Sequence, residues 1–102
     1  MRLVVARMRP SQVEVARQAL AAVHVTRLTV LDAQGCDASG PAGGLVQEAI
    51  MEIAVNDDFL ERTVGALHAV LGGEALGAGQ LSVIPMVEAV QIYRDVRGQE
   101  AL

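Results

Sequence analysis

Apolar and polar positions along the chain change their period several times, and each change marks an element. Residues 3–8 form a short run rich in Val and Leu, stopped by Arg9 and Pro10, and predict a first strand. Ser11 stands three residues before Glu14, the spacing of a reciprocal capping box, with Pro10 just outside. Val13, Ala16, Leu20 and Val23 then recur at helical spacing, while Glu14, Arg17 and Gln18 mark the wet side. This predicts a first helix ending near His24. Residues 26–33, rich in Val, Leu and Thr, predict a second strand, and residues 34–44 carry turn formers with no hydrophobic period, as a mobile loop does. In residues 45–55 Ala49, Met51, Ile53 and Val55 alternate with Glu48, Ile50, Glu52 and Ala54, which predicts a third strand with two distinct faces. Asn56, Asp57 and Asp58 supply N-cap chemistry for a second helix whose buried stripe is Leu60, Val64, Leu67 and Leu71. A glycine-rich stretch, residues 72–80, leads to a fourth strand at 81–85. Residues 86–93 read as a turn into a short fifth strand, and the tail at 94–102 is polar and adaptable.

The order β-α-β-β-α-β places two helices on one face of a four-stranded antiparallel sheet. The whole chain, 1–102, is then one α/β (α+β) domain of the ferredoxin-like sandwich type. An antiparallel sheet with a solvated face alternates cleanly between apolar and polar. Here Leu3 and Val5 lie opposite Val4 and Ala6, and Ile50 and Ala54 lie opposite Met51 and Ile53, so both faces are apolar. A second face of this kind calls for another subunit to cover it, and a homo-oligomer is expected.

Composition narrows the function classes. At 102 residues the chain supports one modest core, and with only Phe59 and Tyr93 aromatic that core is built from Val, Leu, Ile, Ala and Met. A formal charge of −4 argues against nucleic acid, which requires a basic face. The single Cys36 leaves no internal disulfide and fits a reducing compartment. Arg2 and Arg7 interrupt the start too early for a signal peptide, and no apolar run reaches membrane-spanning length, so a soluble cytoplasmic protein without membrane insertion is expected.

Candidate chemistry is sparse. The glycines at 72, 73, 77 and 79 free backbone N–H groups to approach an anion, although a helix C-cap followed by a turn needs only one or two of them, and no Lys or Arg lies nearby. Apart from the methionines, Cys36, His24 and His68 are the soft or borderline metal ligands, and Cys36 sits beside Asp37, which could offer a second ligand per subunit, but ordinary surface or interface roles explain them, and no metal site is expected. Cys36 has no histidine positioned by sequence to activate it, and Glu48 with Glu52, two pleats apart on one strand face, has no leaving-group pocket. A non-enzymatic protein is expected.

Taken together, these stretches resemble one family over essentially the whole chain. Leu3–Val4–Val5–Ala6 with Arg9–Pro10, Val25–Thr26 with Leu28–Thr29–Val30, Gly35, Asn56–Asp57–Asp58, Gly77–Ala78–Gly79–Gln80–Leu81 and the ending Arg97–Gly98–Gln99–Glu100–Ala101–Leu102 are similar, in order and spacing, to the P-II and P-II-like signal-transduction proteins. The resemblance implies a homotrimer of ferredoxin-like subunits with effector sites in the clefts between neighbours. Typical members bind ATP or ADP there, and a long loop after the second strand senses 2-oxoglutarate and grips target proteins, in the regulation of nitrogen or carbon metabolism. Carried onto this chain, the ligand-binding positions are Thr29, Gly35, Cys36, Asp37, Ala54, Gly77, Ala78, Gly79, Gln80, Gln91, Tyr93 and Arg94.

The departures bear on the ligand. The segment 35–55 is shorter than the family norm, and the 2-oxoglutarate-contacting glutamine has no counterpart, Ser39 lying nearest. The lysine that opens the third strand in typical members falls at Glu48, the lysine closing the glycine loop at Gln80, the loop aspartate at Ala78, and two arginines near the chain end at Gln91 and Tyr93. Each lost cation removes a charge-assisted hydrogen bond worth about 1.5–3 kcal/mol in a favourable setting. Arg94 and Arg97 are the cations a shifted tail offers in their place. ADP, AMP or another small anion therefore fits the cleft better than ATP with magnesium, and no cofactor is required. The expectation is a regulatory trimer that senses such an effector and acts on a protein partner such as a transporter or metabolic enzyme. The alternatives are a trimer of the divalent-metal tolerance type, which shares the architecture, and a ligand-free interaction scaffold.

Overall fold

A computed structural model describes residues 1–36, 44–72 and 79–102. Four strands form one antiparallel sheet: β1 (Arg2–Met8), β2 (Thr29–Gly35), β3 (Val46–Val55) and β4 (Gln80–Pro85), in the spatial order β2-β3-β1-β4. Helices α1 (Val13–Ala22) and α2 (Asp57–Leu71) pack against each other and against one face. This is the ferredoxin-like arrangement that the order of elements predicts.

Register divides the sheet residues between two faces. Val4 lies opposite Ile53 and Val83, Ala6 opposite Met51 and Leu81, and Met8 opposite Ala49, so these side chains point together toward the helices. Val4, Ala6, Met51, Ile53, Ala16, Leu20 and Leu67 are fully buried there. At about 1.5–3 kcal/mol for each larger aliphatic side chain, this layer is the main source of stability. Leu3, Val5 and Arg7 point the other way, in rows with Ala54 and Ile84, Glu52 and Ser82, and Ile50 and Gln80. Leu31 and Ile84 on that open face are 41% and 45% exposed.

Several local expectations need correction. Ser11 does not cap α1. A 3-10 turn over Pro10–Gln12 precedes the helix, and the Gln12 side chain reaches back to accept from the Arg9 N–H at 2.9 Å, two residues earlier than the Ser11–Glu14 spacing suggested. Glu14 accepts instead from Arg17 and Gln18 on the wet side of α1. In α2 the stripe runs through Thr63, Leu67 and Leu71 with Phe59 and Leu60 partly buried, whereas Val64 sits at its margin. Thr63 takes a core position because its hydroxyl donates to the Phe59 carbonyl at 2.7 Å, leaving no polar atom unpaired.

Residues 26–28 lie before β2, and Gln34 and Gly35, expected to open the loop, close that strand by pairing with Gln47 and Val46. The shift follows from how α1 ends. His24 adopts a left-handed conformation, φ 66°, its N–H bonding the Ala21 carbonyl while the Val25 N–H bonds that of Leu20. This is a Schellman cap with histidine where glycine is usual, and buried Val25 packs as its hydrophobic partner. Beyond β4, β5 (Val90–Gln91) pairs with β6 (Val96–Arg97) in a separate two-stranded ribbon, followed by a 3-10 turn over Gly98–Ala101. Residues 94–102, the polar tail of the sequence reading, hold the end of a 3-10 turn, β6 and the final turn.

Candidate functional site

The open face gathers the nominated residues at its two ends and leaves its middle apolar. At one end β2 finishes at Gly35 and β4 begins at Gln80, with Arg7 and Glu48 between them on β1 and β3. The Arg7 guanidinium donates to Glu48 Oε2 at 2.8 Å and reaches Gln80 Oε1 at 3.4 Å. The Glu48 carboxylate rests directly on Gly35. A Cβ at position 35 would stand 2.5 Å from Oε1 and 2.6 Å from Cδ, so the missing side chain of Gly35 is the space the carboxylate uses. Gly79 anchors the end of the glycine-rich stretch here. Its N–H donates to the Arg7 carbonyl at 2.9 Å, and its φ of +105° is one that side chains rarely adopt. Cys36 follows Gly35 as an exposed free thiol. Asp37, Gly77 and Ala78 lie outside the described residues.

At the other end β2 starts and β3 finishes. Thr29 sits opposite Glu52, and with Ala54 they line a hollow of about 470 Å³ that Leu3, Thr26 and the C-terminal Leu102 also border. An adjoining hollow of about 330 Å³ shares Thr26, Arg27, Ala54 and Leu102, and adds His24, Asn56 and Phe59. The Asn56 amide donates to the Gln99 carbonyl at 3.2 Å, tying the final turn to the start of α2, while its Oδ1 is shielded with no hydrogen-bond partner. Gln91 lies in β5 with Oε1 likewise shielded and unpaired, and Tyr93 and Arg94 follow in an exposed turn.

The nominated residues therefore fall into separated groups. Six residue steps of about 3.3 Å put Thr29 and Gly35 roughly 20 Å apart along one strand. Among the described residues, nothing in a single copy of the chain joins them. Glu48 and Glu52 do share the open face, as their spacing predicted, yet each looks to a different end. Among the described residues, no three His, Cys, Asp or Glu side chains come together in a way that could hold a metal ion. No described helix is long and apolar enough to cross a membrane.

Sequence reasoning missed Arg7 and the residues around the hollows, namely Thr26, Arg27, Asn56 and Leu102. Arg7 had a visible signal, a charge inside an otherwise apolar strand run. The hollow-lining residues had none, because the hollows arise where the ends of α1, β3 and the chain meet.

No family model matches the chain. Among curated proteins it is 30% identical to the nitrogen regulatory protein GlnK1 of Methanosarcina mazei, over 100% of this chain and 97% of that one. Among solved structures it superimposes on Arabidopsis thaliana PII bound to citrate with a TM-score of 0.87, covering 99% of this chain and 91% of the other at 24% identity, a likeness of fold.

Proposed function

The chain belongs to the P-II signal-transduction protein family, and on that premise we propose that it is a regulatory homotrimer whose inter-subunit clefts sense a small effector. The effector class is an adenine nucleotide carrying few phosphates, ADP or AMP, or another small anion. Binding biases the segment 34–44 and the chain end, and these segments contact a protein partner such as a transporter or metabolic enzyme. No catalytic step is assigned.

The observation that supports this reading is the division of the candidate site. Gly35, Gln80 and Arg7 occupy one end of the open face and Thr29, Ala54 and the Leu102 hollow the other, and neither end alone gathers the nominated residues. Apposition of the open faces of neighbouring copies would bring one copy's first end to its neighbour's second end. The same apposition would cover Leu31, Ile84 and their apolar neighbours.

Sedimentation velocity and calorimetry on one preparation test the proposal. The expected outcome is a particle three times the 10.7 kDa of one chain that takes up AMP or ADP at one site per chain. Citrate, bound by the Arabidopsis PII, is included as a small-anion arm. A lone folded chain at micromolar concentration would remove the shared cleft and the proposal with it.

A further inference from the structure

The smaller hollow, between the end of α1 and the start of α2, has a chemistry of its own. His24 and Arg27 are its basic side chains, Val25, Val55 and Phe59 give it an apolar wall, and among the described residues no acidic side chain lines it. The larger hollow differs in being lined by Glu52. At about 330 Å³ the smaller one lies at the low end of small-molecule pockets, which run up to about 1,000 Å³. Both of its basic groups are unused within the protein. Arg7, Arg17 and Arg97 each pair with a carboxylate, and Arg62 stacks on the Phe59 ring. Among the described residues neither the Arg27 guanidinium nor the His24 imidazole has a hydrogen bond or an ion pair. His24 is also held under strain. Its φ of 66° closes the cap of α1, where glycine would serve without a steric penalty. Burial is not its purpose, because His24 is exposed. A strained side chain that bonds nothing inside the protein is one kept for a ligand.

We infer that the smaller hollow is a second ligand site, which takes a small monocarboxylate with an apolar body. The Arg27 guanidinium and an imidazole N–H of His24 donate to the carboxylate oxygens, with the Thr26 hydroxyl on the same rim. The body lies on Phe59, Val25 and Val55. A compact anion such as inorganic phosphate engages the rim but leaves the apolar wall wet, so it fits less well. Every lining residue belongs to one chain, and the site is complete without a neighbour. It is therefore independent of the inter-subunit cleft and of the adenine reading.

Calorimetry and amide-detected NMR titration of the full chain with benzoate, benzamide and inorganic phosphate test the inference. The proteins are the natural chain, Arg27→Gln and His24→Asn. Asparagine tolerates the left-handed backbone, so His24→Asn keeps the cap while removing the imidazole. Benzoate is expected to bind once per chain and to shift the amides of Val25, Asn56 and Phe59, with benzamide and phosphate about tenfold weaker or more. Arg27→Gln should weaken benzoate by about tenfold and His24→Asn by about threefold, with melts showing both variants folded. Should one variant fail to fold, the other variant and the position of the amide shifts carry the test. Benzamide or phosphate binding as tightly as benzoate would overturn the ligand class. Shifts that fall elsewhere, unchanged affinity in both variants, or no benzoate uptake at about 10 mM would overturn the site. Uptake of AMP or ADP by the natural protein decides the cleft reading separately.

Discussion

The two faces of the central sheet are built from the same strands, residue by residue in alternation, yet they obey different rules. Toward the helices β1 offers Val4, Ala6 and Met8, and β3 offers Ala49, Met51, Ile53 and Val55, each with 5% or less of its surface exposed. Among the described core residues the one polar member is Thr63, whose hydroxyl is spent on its own helix. Toward the open side the same strands offer Leu3, Val5, Ile50 and Ala54 interrupted by Arg7, Glu48 and Glu52. The centre of the first face is uniform because its positions serve burial, with Arg2, Asp32, Gln34 and Gln47 confined to the strand ends and the β2 edge. The second is mixed because apolar residues hold its middle while charged and small residues, Arg7, Glu48 and Gly35 at one end and Thr29, Glu52 and Ala54 at the other, mark the candidate site. The buried layer and the candidate site are thus separated by a period of two along each strand.

That separation can be broken from either side. The largest effect is expected in the helix-covered layer. Leu67→Ala empties a fully buried position, and denaturant melts should show a loss of about 2–5 kcal/mol. If the loss is below about 1 kcal/mol, the layer is not the close-packed core described here. On the open face Leu31→Asp places a charge at a residue 41% exposed in the single chain. Stability of the isolated chain should change by less than about 1 kcal/mol, while sedimentation shifts from trimer to monomer. A variant that unfolds outright, or one that stays trimeric, would show that the open face is not the proposed seam.

The same division explains what could be read in the sequence. The alternation of Ala49, Met51, Ile53 and Val55 was legible because one strand face has a single task, and the apolar excess on the other face was legible because an ordinary solvated face lacks it. The capping of α1 was misread because Ser11 and Glu14 have the right spacing, and nothing local shows that Gln12 reaches Arg9 first. The start of β2 was placed three residues early because Thr26 and Leu28 have strand composition, whereas the Schellman cap at His24 directs the chain into a turn. Above all, the pairing of Glu48 with Arg7 over Gly35 joins positions far apart in sequence through strand register, which no short-range pattern encodes. The family resemblance pointed to Gly35, Gln80 and, as a reversal of charge, Glu48, but not to the contact that Arg7 makes with the last two.

Two smaller effects sharpen the boundary between the regions. His24 sits where the helix-covered layer ends and the smaller hollow begins, in a left-handed conformation that costs an ordinary L-residue about 1–2 kcal/mol. His24→Gly removes that strain and pays back part of it as unfolded-chain entropy, so a net gain of about 0.5–1 kcal/mol is expected in denaturant melts. A loss of stability would mean that the imidazole makes contacts in the hollow that outweigh the backbone strain.

The smallest effect belongs to the wet side of α1, remote from both faces of the sheet. Glu14 accepts from Arg17 Nε at 2.9 Å, and this hydrogen bond, with the charge of the guanidinium, holds its carboxyl below the ordinary glutamate range. A carboxyl with a lowered folded-state value binds its proton less readily than the unfolded chain does. Its contribution is therefore complete above the ordinary glutamate range and fades as pH falls through the lowered value. Because the pair lies on the exposed side of α1, the contribution is slight, and Glu14→Gln should move the neutral-pH melting midpoint less than any substitution above. It should also flatten the acid limb of the stability profile without touching trimer formation or ligand uptake. If Glu14→Gln alters either of those two, a part of the surface assigned here to neither region takes part in assembly or recognition, and the two-face division is incomplete.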